Sequence, residues 1–272
     1  MTRAPVEVVT DVLTGERREE RFYHWQLPDG TKMEMVWVPA GTFTMGGDGE
    51  AFQAVPGRAE TISEGFYLGR FPVTVGQFEA FVDRKGYKEW KGRWPGQGPD
   101  HPVVNVSWFG GWAFGAWAGL VLPTERHWEY AARDTNGRIF PWGDAALNDQ
   151  LLWWSGSGTP RTTTCAVREY LGVPSPFGAK LLVGNVWEWT STEWERDSVA
   201  GEALFVPGAK VPTLDPSESS KGLKARVLRG GGWSFTDAAW VRASARSGLP
   251  PSDRLYFVGL RCARPAARTV NP

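Results

Sequence analysis

The chain has 272 residues, 30 basic and 30 acidic, so its formal charge is zero and the basic excess that marks a nucleic-acid binder is missing. At 42% hydrophobic and 22% charged it has the composition of a soluble globular protein, long enough to bury roughly 70% of its unfolded surface without covalent staples. No early run is apolar enough for a signal peptide or a membrane span, so a cytoplasmic protein that binds neither membrane nor nucleic acid is expected, most simply a monomer.

The N-terminal 32 residues alternate in VEVVTDVLTG and FYHWQLPDG, which predicts a hairpin or an extended arm. MEMVWVPAGTFTMGG then reads as two short strands around a Pro-Ala-Gly turn, residues 47–64 as loop, and FYLGRFPV as a further strand. A first helix is predicted from Thr74, which has capping-box spacing to Gln77. Phe78, Phe81 and Val82 recur on one face, and Gly86 ends it. A second is predicted over Trp108–Ala118, marked by Trp112, Ala116 and small neighbours. A third begins after Thr124, with Trp128, Ala131 and Ala132 inward.

Beyond Asn136 helical periodicity is absent, and the longest loop is expected over residues 195–224. The 33 glycines and 20 prolines call for many turns, so the sequence predicts a single α+β domain, residues 33–272, behind the arm of residues 1–32. Sixteen tryptophans is an unusual number, and Trp both fills cores, the reading for most of them, and anchors binding surfaces. Cys165 and Cys262 are too few for a disulfide framework and stand either as a pair or as two reduced core thiols.

Eight segments resemble hallmarks of one family: WVPAGTFTMGG, FYLGRFPVTVGQFEAF, HPVVNVSW, AGLVLPTERHWEYAARD, FPWGD, GNVWEWTS, RVLRGGGW and VGLRCAR, in order from about residue 33 to residue 264. The chain resembles the formylglycine-generating-enzyme (sulfatase-modifying factor) family. That resemblance implies a C-type-lectin-like fold with little regular secondary structure. Relatives with this fold include copper-dependent oxidases that convert a sulfatase cysteine to formylglycine, non-haem iron sulfoxide synthases and non-catalytic binding proteins. Fold alone does not choose among them.

The resemblance places the two copper-binding cysteines of the oxidases at Phe235 and Trp240, and the serine of their GGS segment at Gly232. Thiolates suit copper(I) and aromatic rings do not, so no catalytic residue and no cofactor is expected. The only histidines, His24, His101 and His127, lack metal-binding spacing, and His127 reads as a packed or capping residue. One family calcium site leaves weak matches at Gly184, Val186 and Glu188, but Leu181 stands where an Asn or Asp belongs. The family's disulfide partner for Cys262 falls near Ala113, so that bond is absent.

What remains is a binding reading. Ser234, Phe235, Thr236, Asp237, Trp240, Ser244, Leu249, Ser252, Arg254, Leu255 and Tyr256 combine hydroxyls, aromatics and one Arg between two framework-like flanks. Asp237 and Arg242 are spaced for an ion pair. The segment 233–261 also resembles the mutagenised cassette of variable proteins of diversity-generating retroelements. The expectation is a non-catalytic protein binding an unknown protein or small molecule. The rivals are a family oxidase with an altered site, a scaffold with one fixed partner, and a plain surface loop.

Overall fold

The computed structural model describes residues 1–4, 6–10, 15, 17–156, 158–169, 173–196 and 223–266. Most of the long loop expected over residues 195–224 lies outside them. Thirteen strands and three α-helices are formed among the described residues. The N-terminal part supplies β1 (Thr2–Arg3), the hairpin of β2 (Glu7–Thr10) with β3 (Arg17–Glu20), and β4 (Tyr23–Gln26). β4 turns through Asp29, whose carboxylate accepts from the Thr31 hydroxyl at 2.8 Å, into β5 (Lys32–Val38). Two strands of the expected arm, β1 and β4, therefore belong to the main sheet.

After the Pro39-Ala40 break come β6 (Gly41–Met45), β7 (Arg58–Ile62) and β8 (Phe66–Gly69). β6 and β7 form their own antiparallel ribbon, so the reading of residues 47–64 as loop is corrected. Arg58, Glu60 and Ile62 share the inner face of β7, where Arg58 and Glu60 pair at 2.7 Å and Ile62 is buried, while Ala59 and Thr61 are exposed on the other face. A charged pair on the inner face removes the apolar-in, polar-out alternation that marks a half-buried strand.

The helices match their sequence signals. α1 (Val75–Lys85) carries the capping box of Thr74 and Gln77 and ends on Gly86 at φ 61, a left-handed cap that glycine adopts without a Cβ clash. α2 (Trp108–Ala118) is capped by Ser107 and apolar almost all round because nearly all of it is covered, Ala116 being exposed. α3 (Glu125–Arg133) begins on Thr124 and buries Trp128, Ala131 and Ala132, but also Glu125, Glu129 and Arg133.

Four strands follow: β9 (Trp187–Glu193), β10 (Arg226–Arg229), β11 (Arg246–Leu249) and β12 (Val258–Leu260), with a 3₁₀ turn at Ala238–Val241. They make a sheet in the order β11-β10-β9-β12, with β12 parallel to β9. The last strand, β13 (Ala263–Pro265), returns to pair with β8 and completes a five-stranded sheet, β1-β4-β5-β8-β13. Trp128, Trp187 and Trp189 are fully buried between these layers, each worth about 1.5–3 kcal/mol by the usual scale for a large side chain. Cys165 and Cys262 are both buried and both free thiols, which decides between the two readings left open above.

Candidate binding surface

Two buried charge clusters lie where β9 and β10 face α3. Glu188 on β9 and Arg261, just after β12, are both fully buried. Arg261 Nε lies 3.0 Å from Oε2 of Glu188 and Nη2 lies 2.9 Å from Oε1, while the Trp128 indole donates to Oε2 at 2.6 Å. Arg261 places its other donors on the carbonyls of Gly69, Lys180 and Leu181.

In the second cluster Arg229 donates to Glu125 at 3.0 Å and to Glu129 at 2.5 Å. Arg246 donates to Glu125 at 2.5 Å and Arg133 to Glu129 at 2.6 Å. Arg229 also donates to the carbonyls of Ala243 and Ser244, which pins the C-terminal segment to α3. Buried ions need such partners, because one left alone costs several kcal/mol.

The first cluster includes Glu188, one of the weak calcium matches. The carboxylate of Glu188 is occupied by Arg261 and Trp128. Leu181 adopts φ 56, a conformation that Asn and Asp take more readily than leucine. Leu181 offers no side-chain oxygen, and the residues present do not fit calcium.

On the Trp187 side of β9 lies an aromatic surface. Phe235 and Trp240 pack with ring centroids 5.0 Å apart. Phe257 meets Phe235 edge-on at 5.2 Å, and the buried Trp187 meets both Phe235 and Trp240 edge-on at 6.1 Å. Tyr256 stacks on Trp94 at 4.6 Å. Phe235, Trp240, Tyr256, Leu249 and Leu255 are all half-buried, with one side on the core and one side open. Neither an indole nor a phenyl ring donates to copper(I), so Phe235 and Trp240 do not fit that metal. Among the described residues no group of three His, Cys, Asp or Glu side chains is placed to hold a metal ion.

A second chain segment clasps the surface from the side. The Phe52 N–H donates to the Ala239 carbonyl at 2.9 Å, and the Arg246 N–H donates to the Phe52 carbonyl at 2.9 Å. Asp48 accepts from Arg242 Nε at 2.7 Å and from the Ser244 hydroxyl at 3.3 Å. Burial pushes the Asp48 carboxyl up, but the Arg242 guanidinium outweighs it and holds the group below the usual carboxylate range.

These contacts revise several of the expected roles. Arg242 pairs with Asp48 and Glu50 rather than Asp237, whose carboxylate instead caps the 3₁₀ turn through the Ala239 N–H at 2.9 Å. Ser244 is buried against Asp48 and is withdrawn from the contact set. Arg254 is held by the carbonyl and carboxylate of Glu89 and by the Ser252 carbonyl, so it braces the loop. Thr236 and Asp237 are exposed, and Ser234 and Ser252 are half-exposed, beside the aromatic rings. Sequence reasoning missed Phe52, Trp94 and Phe257. The concentration of Trp and Gly in the loop around Trp94 was the one available signal.

The histidines occupy three separate settings. His127 sits on α3 with Nδ1 2.6 Å from the Thr124 hydroxyl and its ring edge-on to Phe66, and burial lowers its pKa to about 4. His101 contacts the Thr164 hydroxyl at 2.9 Å, and His24 meets Phe22.

Residues 25–266 match the family described as the sulfatase-modifying factor enzyme 1-like domain. The chain belongs to that family. Within it, the formylglycine-generating enzyme of Mus musculus is 30% identical, over 85% of this chain and 74% of the mouse protein. The Bos taurus protein called inactive C-alpha-formylglycine-generating enzyme 2 is 27% identical over 97% of each chain. The structure of Treponema denticola variable protein 1 superposes with a TM-score of 0.63 over 90% of this chain and 99% of its own, at 18% identity, which shows a shared fold. The expected α+β, C-type-lectin-like fold of sulfatase-modifying-factor type is thus the fold found, with three helices and short strands. Membership in the sulfatase-modifying factor family fixes that architecture and leaves activity open, since relatives named as enzymes and as inactive both match.

Proposed function

We propose that the chain is a non-catalytic, ligand-binding member of its family, presenting the aromatic surface around Phe235, Trp240 and Tyr256 to a protein or small-molecule ligand. One observation carries the reading. The two positions that the family resemblance aligns with copper-binding cysteines hold Phe235 and Trp240, packed ring to ring. Without thiolates there is no copper(I) and no oxygen activation of the family's kind. The same rings, half-exposed and braced by Phe52 and Trp187, supply rigid contact area at low entropic cost. Ser234, Thr236, Asp237 and Ser252 add directional hydrogen bonds at its rim.

The finer form of the reading is that residues 233–261 are a diversified cassette. What supports it is the division of labour along the segment. Its two ends, Arg229 to Trp233 and Val258 to Ala263, are wholly buried, whereas Ser234, Thr236, Asp237 and Ser252 between them open to solvent and lie outside the core. Deep sequencing of the locus across the source population tests this. Substitutions confined to the open positions support a diversified binder, and uniform sequence overturns it in favour of one fixed partner. Incubation with copper(I), oxygen and a cysteine-bearing peptide tests the broader claim. An aldehyde product in place of the thiol overturns it.

A further inference from the structure

Away from the aromatic surface, the start of β5, the segment after β8, the first turn of α1 and the loop at Asp100 enclose a cavity of about 270 Å³. Pockets for drug-sized ligands run from about 300 to 1,000 Å³, so this one suits a smaller molecule. Its walls are tied together through the backbone. Val75 N–H donates to the His101 carbonyl at 2.8 Å, Gly76 N–H to Pro99 at 2.8 Å, and Val167 N–H to Asp100 at 2.9 Å. The cavity is therefore set by the fold rather than by loose side chains.

Four charged side chains line it, two of each sign: Lys32, Arg168, Glu34 and Asp100. Two of them cancel, since Arg168 pairs with Glu34, which also accepts from the buried Arg70 at 2.8 Å. The Arg168 guanidinium also lies over the Phe71 ring, 5.3 Å from its centroid. The other two are unspent. Among the described residues, the Lys32 ammonium and the Asp100 carboxylate have no hydrogen-bond or ion-pair partner. Gln77 uses its side-chain oxygen on the Thr74 N–H at 3.0 Å, which leaves its amide donors available.

We propose that this cavity binds a small zwitterion bearing a free ammonium and a free carboxylate, of the size of an amino acid or a dipeptide. Lys32 and the Gln77 amide are the donors for its carboxylate, Asp100 is the acceptor for its ammonium, and Phe71 with Val167 packs its apolar part. A simple anion meets the uncompensated Asp100, and a simple cation meets Lys32. A ligand carrying both charges satisfies both and leaves the net charge of the cavity unchanged. Because Lys32 and Asp100 are exposed, affinity falls as salt is raised.

The test is calorimetric titration of the full chain with glycyl-leucine, with its N-acetylated form and with its C-amidated form. Saturable binding of glycyl-leucine is expected, at least tenfold weaker for either blocked form. Lys32→Ala should lose the discrimination against the amide while keeping that against the acetylated form, and Asp100→Asn should do the reverse. Both side chains are exposed, so the variants keep the native circular dichroism. No saturable heat with glycyl-leucine, or variants that discriminate as the wild type does, overturns the proposal.

Discussion

The indole of Trp240 lies flat on the ring of Phe52, with centroids 3.4 Å apart and 20° between the planes. This stack joins the loop after β6 to the C-terminal surface, and two backbone hydrogen bonds from Phe52 reinforce it. Such pairs contribute about 0.5–1.5 kcal/mol beyond area burial, and Phe52 is only partly covered. Phe52→Ala is expected to cost about 2 kcal/mol in urea unfolding, with Phe52→Leu recovering roughly half. A loss within about 0.5 kcal/mol of zero would mean that the stack does not hold the clasp.

His127 makes stability depend on pH. Its folded pKa is about 4, below the value near 6.5 of an unfolded histidine, so the unfolded chain takes up the proton first as pH falls. The contribution is fully present above about pH 6.5 and is lost between there and about pH 4. A displacement of this size corresponds to about 3 kcal/mol in total. His127→Asn should remove this part of the slope in unfolding free energy measured between pH 7 and pH 4. An unchanged slope assigns the acid sensitivity to other groups.

The two thiols are expected to be inert in the folded protein. Burial pushes Cys165 up to about 12 and Cys262 higher still, and thiolate is the reactive form. A thiol-reactive dye should label neither residue in native buffer and both in strong denaturant, with the intact mass unchanged by reductant. Rapid native labelling at Cys165 contradicts its burial.

How much was legible follows from where the physics lies. Thr74 with Gln77, Thr124 and Gly86 act within a few residues of themselves, so the helix ends could be read directly from the sequence. β7 could not, because its inner face carries the charged pair Arg58 and Glu60 beside Ile62, so the usual alternation is missing and the segment looks like a polar loop. The surface was half legible. Phe235 and Trp240 stood out against the family pattern, whereas Phe52 and Trp94 reach it from loops whose docking is set by distant backbone bonds. Most hidden were the buried charges. On α3 the sequence marks only Trp128, Ala131 and Ala132 as inward, and the burial of Glu125, Glu129 and Glu188 is explained by arginine partners far along the chain.

Arg261 tests that last point most directly. Its guanidinium is the main counter-charge to Glu188 and also satisfies three carbonyls. Arg261→Ala leaves a buried carboxylate with one indole donor, and breaking such a pair costs about 3–5 kcal/mol. Burial alone raises the pKa of Glu188 above that of an unfolded carboxyl, so the folded variant favours the protonated group. A raised carboxyl supports folding at low pH and loses that support as pH rises through its folded value. The variant should therefore be destabilised more at pH 8 than at pH 5, as read by urea midpoints. Adding Glu188→Gln to it should recover part of the loss at pH 8 and little at pH 5. Equal destabilisation at both pH values would assign the cost to the three abandoned carbonyls rather than to the stranded charge.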